Sequence, residues 1–356
     1  MNKIDLKGLK VNEIIDCFAK YEIPAFRAKQ LFQWINQKRV ANFELMSNLS
    51  KTFRSFLEEK FIINENLITS KLISSDGTIK YMLELSDGNK IETVLLPPLS
   101  ANKTDHRIDN ETHLNRLTLC VSTQIGCPLQ CKFCATGYME FKRNLTTSEI
   151  IDQIIQAQIE SDKKITNVVF MGMGEPLLNY DAVMSATEIL NDESGLAIPN
   201  KHITISTSGI IPKIIQLADE NKKAKLAISL HSLDNGVRSL LMPVNKKYPL
   251  PELIKSIKYY YKKTKIRPTF EYILFKRLND SETDFKNIVK LAKNIPCKFN
   301  IIKFHESEFI GSDLKQSPSF DSFIAKLRNE NVTVMVRNSS GKDISAACGQ
   351  LAIKKS

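Results

Sequence analysis

Residues 117–160 read LTLCVSTQIGCPLQCKFCATGYMEFKRNLTTSEIIDQIIQAQIE. The stretch opens with LTLCVS, a short apolar run of β type. A loop with cysteines follows, and then TTSEIIDQIIQAQIE, whose isoleucines recur at helical spacing. Strand, loop and helix make one βα unit. The rhythm repeats: NVVFMG then YDAVMSATEIL, HITIS then IIPKIIQLAD, and AKLAISL then two helical stretches. FEYILF then SETDFKNIVKLAK, KFNIIKF then FDSFIAKLRNE, and a last strand, VTVMVR, complete the series. Six or seven such units predict an α/β fold with a parallel sheet curled into a full or partial barrel. In barrels of this kind the chemistry sits in the loops at the C-terminal strand ends.

The loop after the first strand carries Cys127, Cys131 and Cys134. Structural zinc takes four ligands, commonly from two Cys-x-x-Cys knuckles, and only one knuckle is present here. Cys120 could complete a zinc set, but it lies inside the strand LTLCVS. An iron–sulfur cluster fits better: three thiolates bind three irons of a 4Fe–4S cluster, and the fourth iron stays open to a small molecule. Other strand ends add polar groups. In NVVFMGMGEP, Gly172 and Gly174 allow close backbone approach and Glu175 offers an anionic acceptor. Ser206 ends the third strand; Ser229, Leu230 and His231 end the fourth. Singly, these are ordinary caps, tight turns or satisfied core groups. Together they point four strand ends at one mouth.

Working outward, residues 1–62 hold three helical segments, VNEIIDCFAKY, AFRAKQLFQWINQKR after Pro24, and SKTFRSFLEEKF with Ser50 as its N-cap. They predict a small helical module with a possible RNA contact, whose aromatics form its core. Residues 63–116 predict an antiparallel extension turning at Asp76-Gly77 and Asp87-Gly88, then a long polar loop over 97–116. The barrel and a C-terminal tail occupy 117–356. No signal-peptide core and no run of about 18 apolar residues occurs, so a membrane role is not expected. A cytoplasmic location is expected, with the seven cysteines as reduced thiols. The formal net charge is +11. It favours a polyanionic partner, although base composition of the genome can produce the same excess.

The cysteine spacing resembles that of the radical S-adenosylmethionine (SAM) enzymes. In that superfamily SAM occupies the open iron, and a stretch similar to GMGEP holds its ammonium group. The stretches IETVLLP, LCVSTQIGCPLQCKFCATG, FKRNLT, MGMGEPLLN, ISTSG, ISLHS, LMPVNKKYP and DISAACGQL resemble, in order, the radical-SAM RNA adenine methyltransferases of the RlmN/Cfr family. The likeness runs from about residue 90 to 352 and is closest to the RlmN branch. It implies a partial (β/α)6 TIM-like barrel with the helical module and the short antiparallel extension attached. It also implies a 4Fe–4S cluster on Cys127, Cys131 and Cys134, and two SAM molecules per turnover. Gly174, Glu175, Ser206, Ser229, Leu230, His231 and His305 are implied as SAM contacts.

The resemblance further implies methylation of C2 of an adenosine in the peptidyl-transferase loop of 23S rRNA, and of the tRNA adenosine beside the anticodon. One SAM methylates Cys348, and a radical made from a second takes hydrogen from that methyl. The carbon then adds to the adenine. Cys120 serves as base and resolving thiol, ending in a Cys120–Cys348 disulfide that needs reduction. Glu92 corresponds to a carboxylate proposed as proton acceptor, although a half-buried strand Glu explains it as simply. A flavodoxin-like electron donor and a monomeric state are expected. His305, Ser340 and Lys342 depart from residues common in relatives, and Cys17 and Cys297 match no site. Three alternatives remain: a Cfr-type C8 methyltransferase conferring antibiotic resistance, a non-catalytic metal-binding RNA-binding protein, and a radical-SAM activase of a protein glycyl site.

Overall fold

The computed structural model describes residues 3–98, 116–305, 310, 313–337 and 340–353. The N-terminal stretch forms three helices. Its helices span Val11–Ala19, Phe26–Asn36 and Lys51–Lys60, and Ser50 caps the third by accepting from the Phe53 amide at 3.3 Å. Pro24 lies two residues ahead of the second helix rather than in its first turn. Phe18, Phe32, Trp34 and Phe61 are buried, so these aromatics are core. A short parallel pair closes the module: β1 (Ile4–Asp5) against β2 (Phe61–Ile62).

The module is locked to the barrel by polar groups. The Lys7 ammonium pairs with Asp152 of the helix Thr147–Ser161, both residues being almost fully buried. The other Asp152 oxygen accepts from the Asn66 amide, and the Asn66 side chain donates to the Glu149 carbonyl at 3.1 Å. Such a pair survives burial only because its oxygens are hydrogen-bonded.

The extension comprises β3 (Leu67–Ile73), β4 (Ile79–Glu84) and β5 (Lys90–Leu96), all antiparallel. Its free edge, β5, pairs antiparallel with β6 (Thr118–Cys120), the first barrel strand. One ten-stranded sheet therefore runs from the extension through the barrel. After β6 come β7 (Gln124–Ile125) and β8 (Arg143–Asn144), a small ribbon that brackets the cysteine loop. The remaining strands are β9 (Asn167–Phe170), β10 (Ile203–Thr207), β11 (Lys225–Ser229), β12 (Thr269–Ile273), β13 (Lys298–Ile302) and β14 (Val334–Arg337). From β6 through β9 to β14 every neighbouring pair is parallel. All residues of β9 are buried, as a strand covered on both faces requires.

This is the α/β partial barrel expected, with a seventh parallel strand at its far edge. Most of the long polar loop, 99–115, lies outside the described residues. Among the described residues, no helix is long and apolar enough to cross a membrane.

Candidate active site

The cysteine loop leaves β7 and returns at β8, so the ribbon fixes both of its ends. Arg143 clamps the return. Its guanidinium meets both Glu149 oxygens at 2.8 and 2.7 Å and Asp87 at 2.8 Å, tying the loop to the next helix and to the β4–β5 turn. Within the loop, sulfurs are hydrogen-bonded by backbone amides: Cys127 by that of Leu129, Cys134 by those of Thr136 and Gly137. Burial pushes the Cys127 thiol up to about 12, and burial also raises Cys131 and Cys134, with the neighbouring sulfurs adding to it. All three are free thiols.

Deprotonating such thiols needs a strong positive charge among them, which bound iron supplies. Amide-bonded sulfurs on one short loop are the donor set of an iron–sulfur site, so the three cysteines could hold a cluster. Among the described residues, no three Cys, His, Asp or Glu side chains converge on a single ion. A cluster that seats each thiolate on its own iron does not require that convergence.

Around the loop stand the strand ends. After β9, Glu175 is buried and hydrogen-bonded: one oxygen accepts from the Leu177 amide at 3.0 Å, the other from the Ser208 amide and hydroxyl at 2.7 and 2.8 Å. Burial raises its pKa against those bonds. Gly174 has φ +98°, and a Cβ there would lie 2.5 Å from Cβ of Gln124. The close approach at Gly174 is thus to Gln124 of β7, whose side-chain amide oxygen accepts from the Glu175 N–H at 2.8 Å. Ser206 and Ser229 are partly exposed in β10 and β11. Leu230 is fully buried, and its amide donates to the Glu271 carbonyl at 3.0 Å.

His231 takes φ +54° and is buried, and its Nδ1 accepts from the Ile273 amide at 3.1 Å. Burial lowers its pKa to about 3, with Arg238 adding to the effect, so the ring is neutral. Its ring lies edge-on to Phe133 of the cysteine loop, centroids 4.4 Å apart. The sequence placed His231 at the mouth; the structure has its ring packed inside, supporting the loop. His305, just beyond β13, is half-buried, and burial with Lys342 and Lys303 nearby lowers its pKa.

The C-terminal tail closes the site. Asp76 accepts from the Gly341 amide at 2.9 Å, and Asp343 accepts from the Ser74 hydroxyl at 2.5 Å and the Ser75 amide at 3.0 Å. Beyond this hook, the Ala135 amide donates to the Gly349 carbonyl at 2.6 Å and the Thr136 hydroxyl to the Leu351 carbonyl at 2.6 Å. The tail therefore docks directly on the cysteine loop. Cys348 itself is exposed, in a turn closed by the Gln350 amide donating to the Ala347 carbonyl at 3.0 Å. Gly349 has φ +80°, and a Cβ there would sit 3.0 Å from the Phe133 carbonyl.

Glu92 on β5 lies where these parts meet. It is buried; one oxygen pairs with Lys80 at 2.9 Å and the other accepts from the Ala352 amide at 3.0 Å. Its carbonyl accepts from the Ser122 hydroxyl at 2.6 Å, and Ser122 in turn accepts from the Met173 amide at 2.9 Å. The next residue, Thr93, donates to the Cys120 carbonyl at 2.6 Å. Cys120 is buried at the end of β6 and is not joined in a disulfide. Sequence reading assigned no role to Gln124, Phe133 or Ser208, although they lie within the stretches LCVSTQIGCPLQCKFCATG and ISTSG, nor to Arg238, which lies outside them.

These features agree with what the chain is similar to. Residues 121–292 match the model of the radical SAM superfamily. A solved radical SAM methyltransferase from Sphaerobacter thermophilus superposes with a TM-score of 0.87 at 35% identity, covering 98% of this chain and 99% of that one. The class is therefore a radical-SAM methyltransferase, which uses a 4Fe–4S cluster and SAM. Residues 4–63 match the model of the ribosomal RNA large subunit methyltransferase N-terminal domain. A probable dual-specificity RNA methyltransferase RlmN of Dictyoglomus turgidum is 46% identical over 98% of this chain and 96% of its own length. Its counterpart in Clostridium novyi is 42% identical over 98% of this chain and 97% of its own. The chain belongs to the RlmN family of radical-SAM RNA methyltransferases.

Proposed function

We propose that this enzyme methylates C2 of an adenosine in the peptidyl-transferase loop of 23S rRNA, and C2 of the tRNA adenosine beside the anticodon. The relatives' shared description as dual-specificity RNA methyltransferases supports both substrates. The observation that carries the reading is the docking of the tail on the cysteine loop, with Cys348 exposed beside it. A thiol that receives a methyl and hands on its carbon must stand free yet be held near the site of radical formation.

In this reading Cys127, Cys131 and Cys134 hold the cluster. When bound, it supplies the one electron that opens the sulfonium of SAM. Gly174, Glu175, Ser206, Ser229, Leu230, His231 and His305 contact SAM. Cys348 carries the methyl carbon to adenine, forming a covalent enzyme–RNA adduct. Cys120 takes the ring proton and then resolves the adduct, leaving a Cys120–Cys348 disulfide. A flavodoxin-like donor returns electrons, and Glu92, buried against the tail, accepts a proton. Residues 1–62 act as an RNA-facing accessory unit, and the enzyme works in the cytoplasm.

The test is mass mapping of rRNA and tRNA from a deletion strain against synthetic C2- and C8-methyladenosine standards. Loss of 2-methyladenosine from both RNAs is the expected result. Loss of the C8 product instead would overturn the regiochemistry.

A further inference from the structure

Arg238 is the largest fully buried side chain among the described residues, with no measurable exposure. It projects from the short helix Asn235–Leu241. One terminal nitrogen donates to the Asn245 side-chain oxygen at 2.6 Å; the other donates to the Ser208 carbonyl at 2.6 Å and the Ser229 carbonyl at 3.1 Å. Its Nε has no partner. Every acceptor is neutral, and among the described residues no carboxylate pairs with it. A buried guanidinium without a counter-ion is costly, and proteins rarely keep one without a use.

Its surroundings indicate the use. The amide of Lys132, the residue after Cys131, donates to the carbonyl of Leu241 at the end of the same helix, at 3.0 Å. Ser208, whose carbonyl Arg238 holds, is the residue whose amide and hydroxyl bind Glu175. Arg238 thus lies between the cysteine loop and the Glu175 pocket. Two ionisable groups among the described residues feel its charge, the neutral His231 ring and the Cys131 sulfur, and of these only the sulfur can carry a negative charge.

We propose that Arg238 is the built-in counter-charge of the iron–sulfur site: a fixed cation beside Cys131 that favours the anionic thiolate-ligated cluster and, more so, its one-electron-reduced form. Reduction adds one negative charge to the cluster. A nearby fixed positive charge stabilises the reduced form more than the oxidised one and so raises the reduction potential. The chain's missing anion is then the cluster itself. This rests on Cys127, Cys131 and Cys134 being the cluster ligands.

The experiment is an EPR-monitored redox titration of anaerobically reconstituted protein, with iron content measured in parallel. Arg238→Gln removes the charge, Arg238→Lys keeps it, and Asn245→Asp leaves the arginine in place but gives it a carboxylate. Arg238→Gln and Asn245→Asp are each expected to lose about tenfold in the reduction equilibrium constant, ~59 mV for a one-electron couple. Arg238→Lys is expected to stay near the wild-type potential. If Arg238→Gln does not fold, Asn245→Asp decides the matter. An unchanged potential in a folded, iron-loaded charge-removing or charge-compensating variant overturns the proposal, as does an equal fall in Arg238→Lys and Arg238→Gln. Failure of the wild-type protein to bind iron would instead overturn the ligand assignment.

Discussion

At the scale of single residues, the proposed mechanism depends on the exposed thiol of Cys348 and the buried carboxyl of Glu92. On that proposal Cys348→Ala removes the methyl carrier and leaves the three thiols of the cysteine loop in place. Iron uptake should be retained while methyladenosine formation falls below detection, read by iron assay and nucleoside mass spectrometry. Cys120→Ala should instead accumulate RNA-linked protein, visible as a band shift on a denaturing gel; normal turnover without that band would reassign its role. Glu92 makes a pH prediction. Burial holds its carboxyl above the ordinary range, against the pull of Lys80 and the Ala352 amide. A raised folded-state pKa means the native protein binds this proton more tightly than the unfolded chain does. The contribution is therefore fully present below the ordinary glutamate value and is lost as pH rises through the raised one. Glu92→Gln cannot titrate and so lacks this pH dependence. The stability of wild type relative to the variant should fall from pH about 4 to neutrality, measured by urea denaturation across the pH series. A rise instead would mean that Lys80 keeps the carboxylate ionised.

At the scale of elements, two dockings hold the site together. The first is that of the N-terminal module, through Lys7 and Asp152. Lys7→Ala leaves a buried carboxylate unpaired, which costs about 3–5 kcal/mol, whereas an apolar replacement of both partners is close to neutral. Denaturant unfolding should show the single variant strongly destabilised and Lys7→Met with Asp152→Leu restored only in part, because the buried Asn66 amide loses its acceptor. The second is that of the tail. Gly349→Ala forces a side chain into a left-handed position against the Phe133 carbonyl, a strain of about 1–2 kcal/mol. It should lower methyl transfer while iron binding persists.

These dockings were also the least legible parts of the sequence. The βα rhythm could be read because strands covered on both faces must be apolar runs, and the cysteine loop because ligand chemistry fixes its spacing. Lys7 in IDLKGLK and Arg238 in NGVRSLL read as ordinary solvated charges. Only the folded chain shows their neighbours, since the tail's bond from Ala352 to Glu92 spans 260 positions. His231 could be located at a strand end, but which way its ring faced depended on Phe133 and Ile273, contacts that local pattern does not encode.

At the scale of the whole molecule, the excess of 50 Lys and Arg over 39 Asp and Glu acquires a partner, because the substrate is RNA. The charge is not used up in internal pairing: of the exposed lysines, Lys132 sits within the cysteine loop, and Lys246 and Lys247 follow the segment that buries Arg238 and Asn245. The backbone bond from Lys132 to Leu241 holds the two stretches side by side. On the proposed reaction an adenine approaching Cys348 leaves its stack, and the flanking phosphates then need cations near the mouth. Each phosphate neutralised releases counter-ions, so affinity falls steeply and linearly in log–log form with salt, with a slope that counts the contacts. Binding of an rRNA fragment, titrated from about 50 to about 200 mM salt, should weaken by orders of magnitude. Lys132→Ala, Lys246→Ala and Lys247→Ala should each reduce the slope by about one if the lysine touches a phosphate, with iron content unchanged. A slope identical to wild type in all three variants would mean that RNA meets a different face of the barrel, and would shift attention to the basic surface of the N-terminal module.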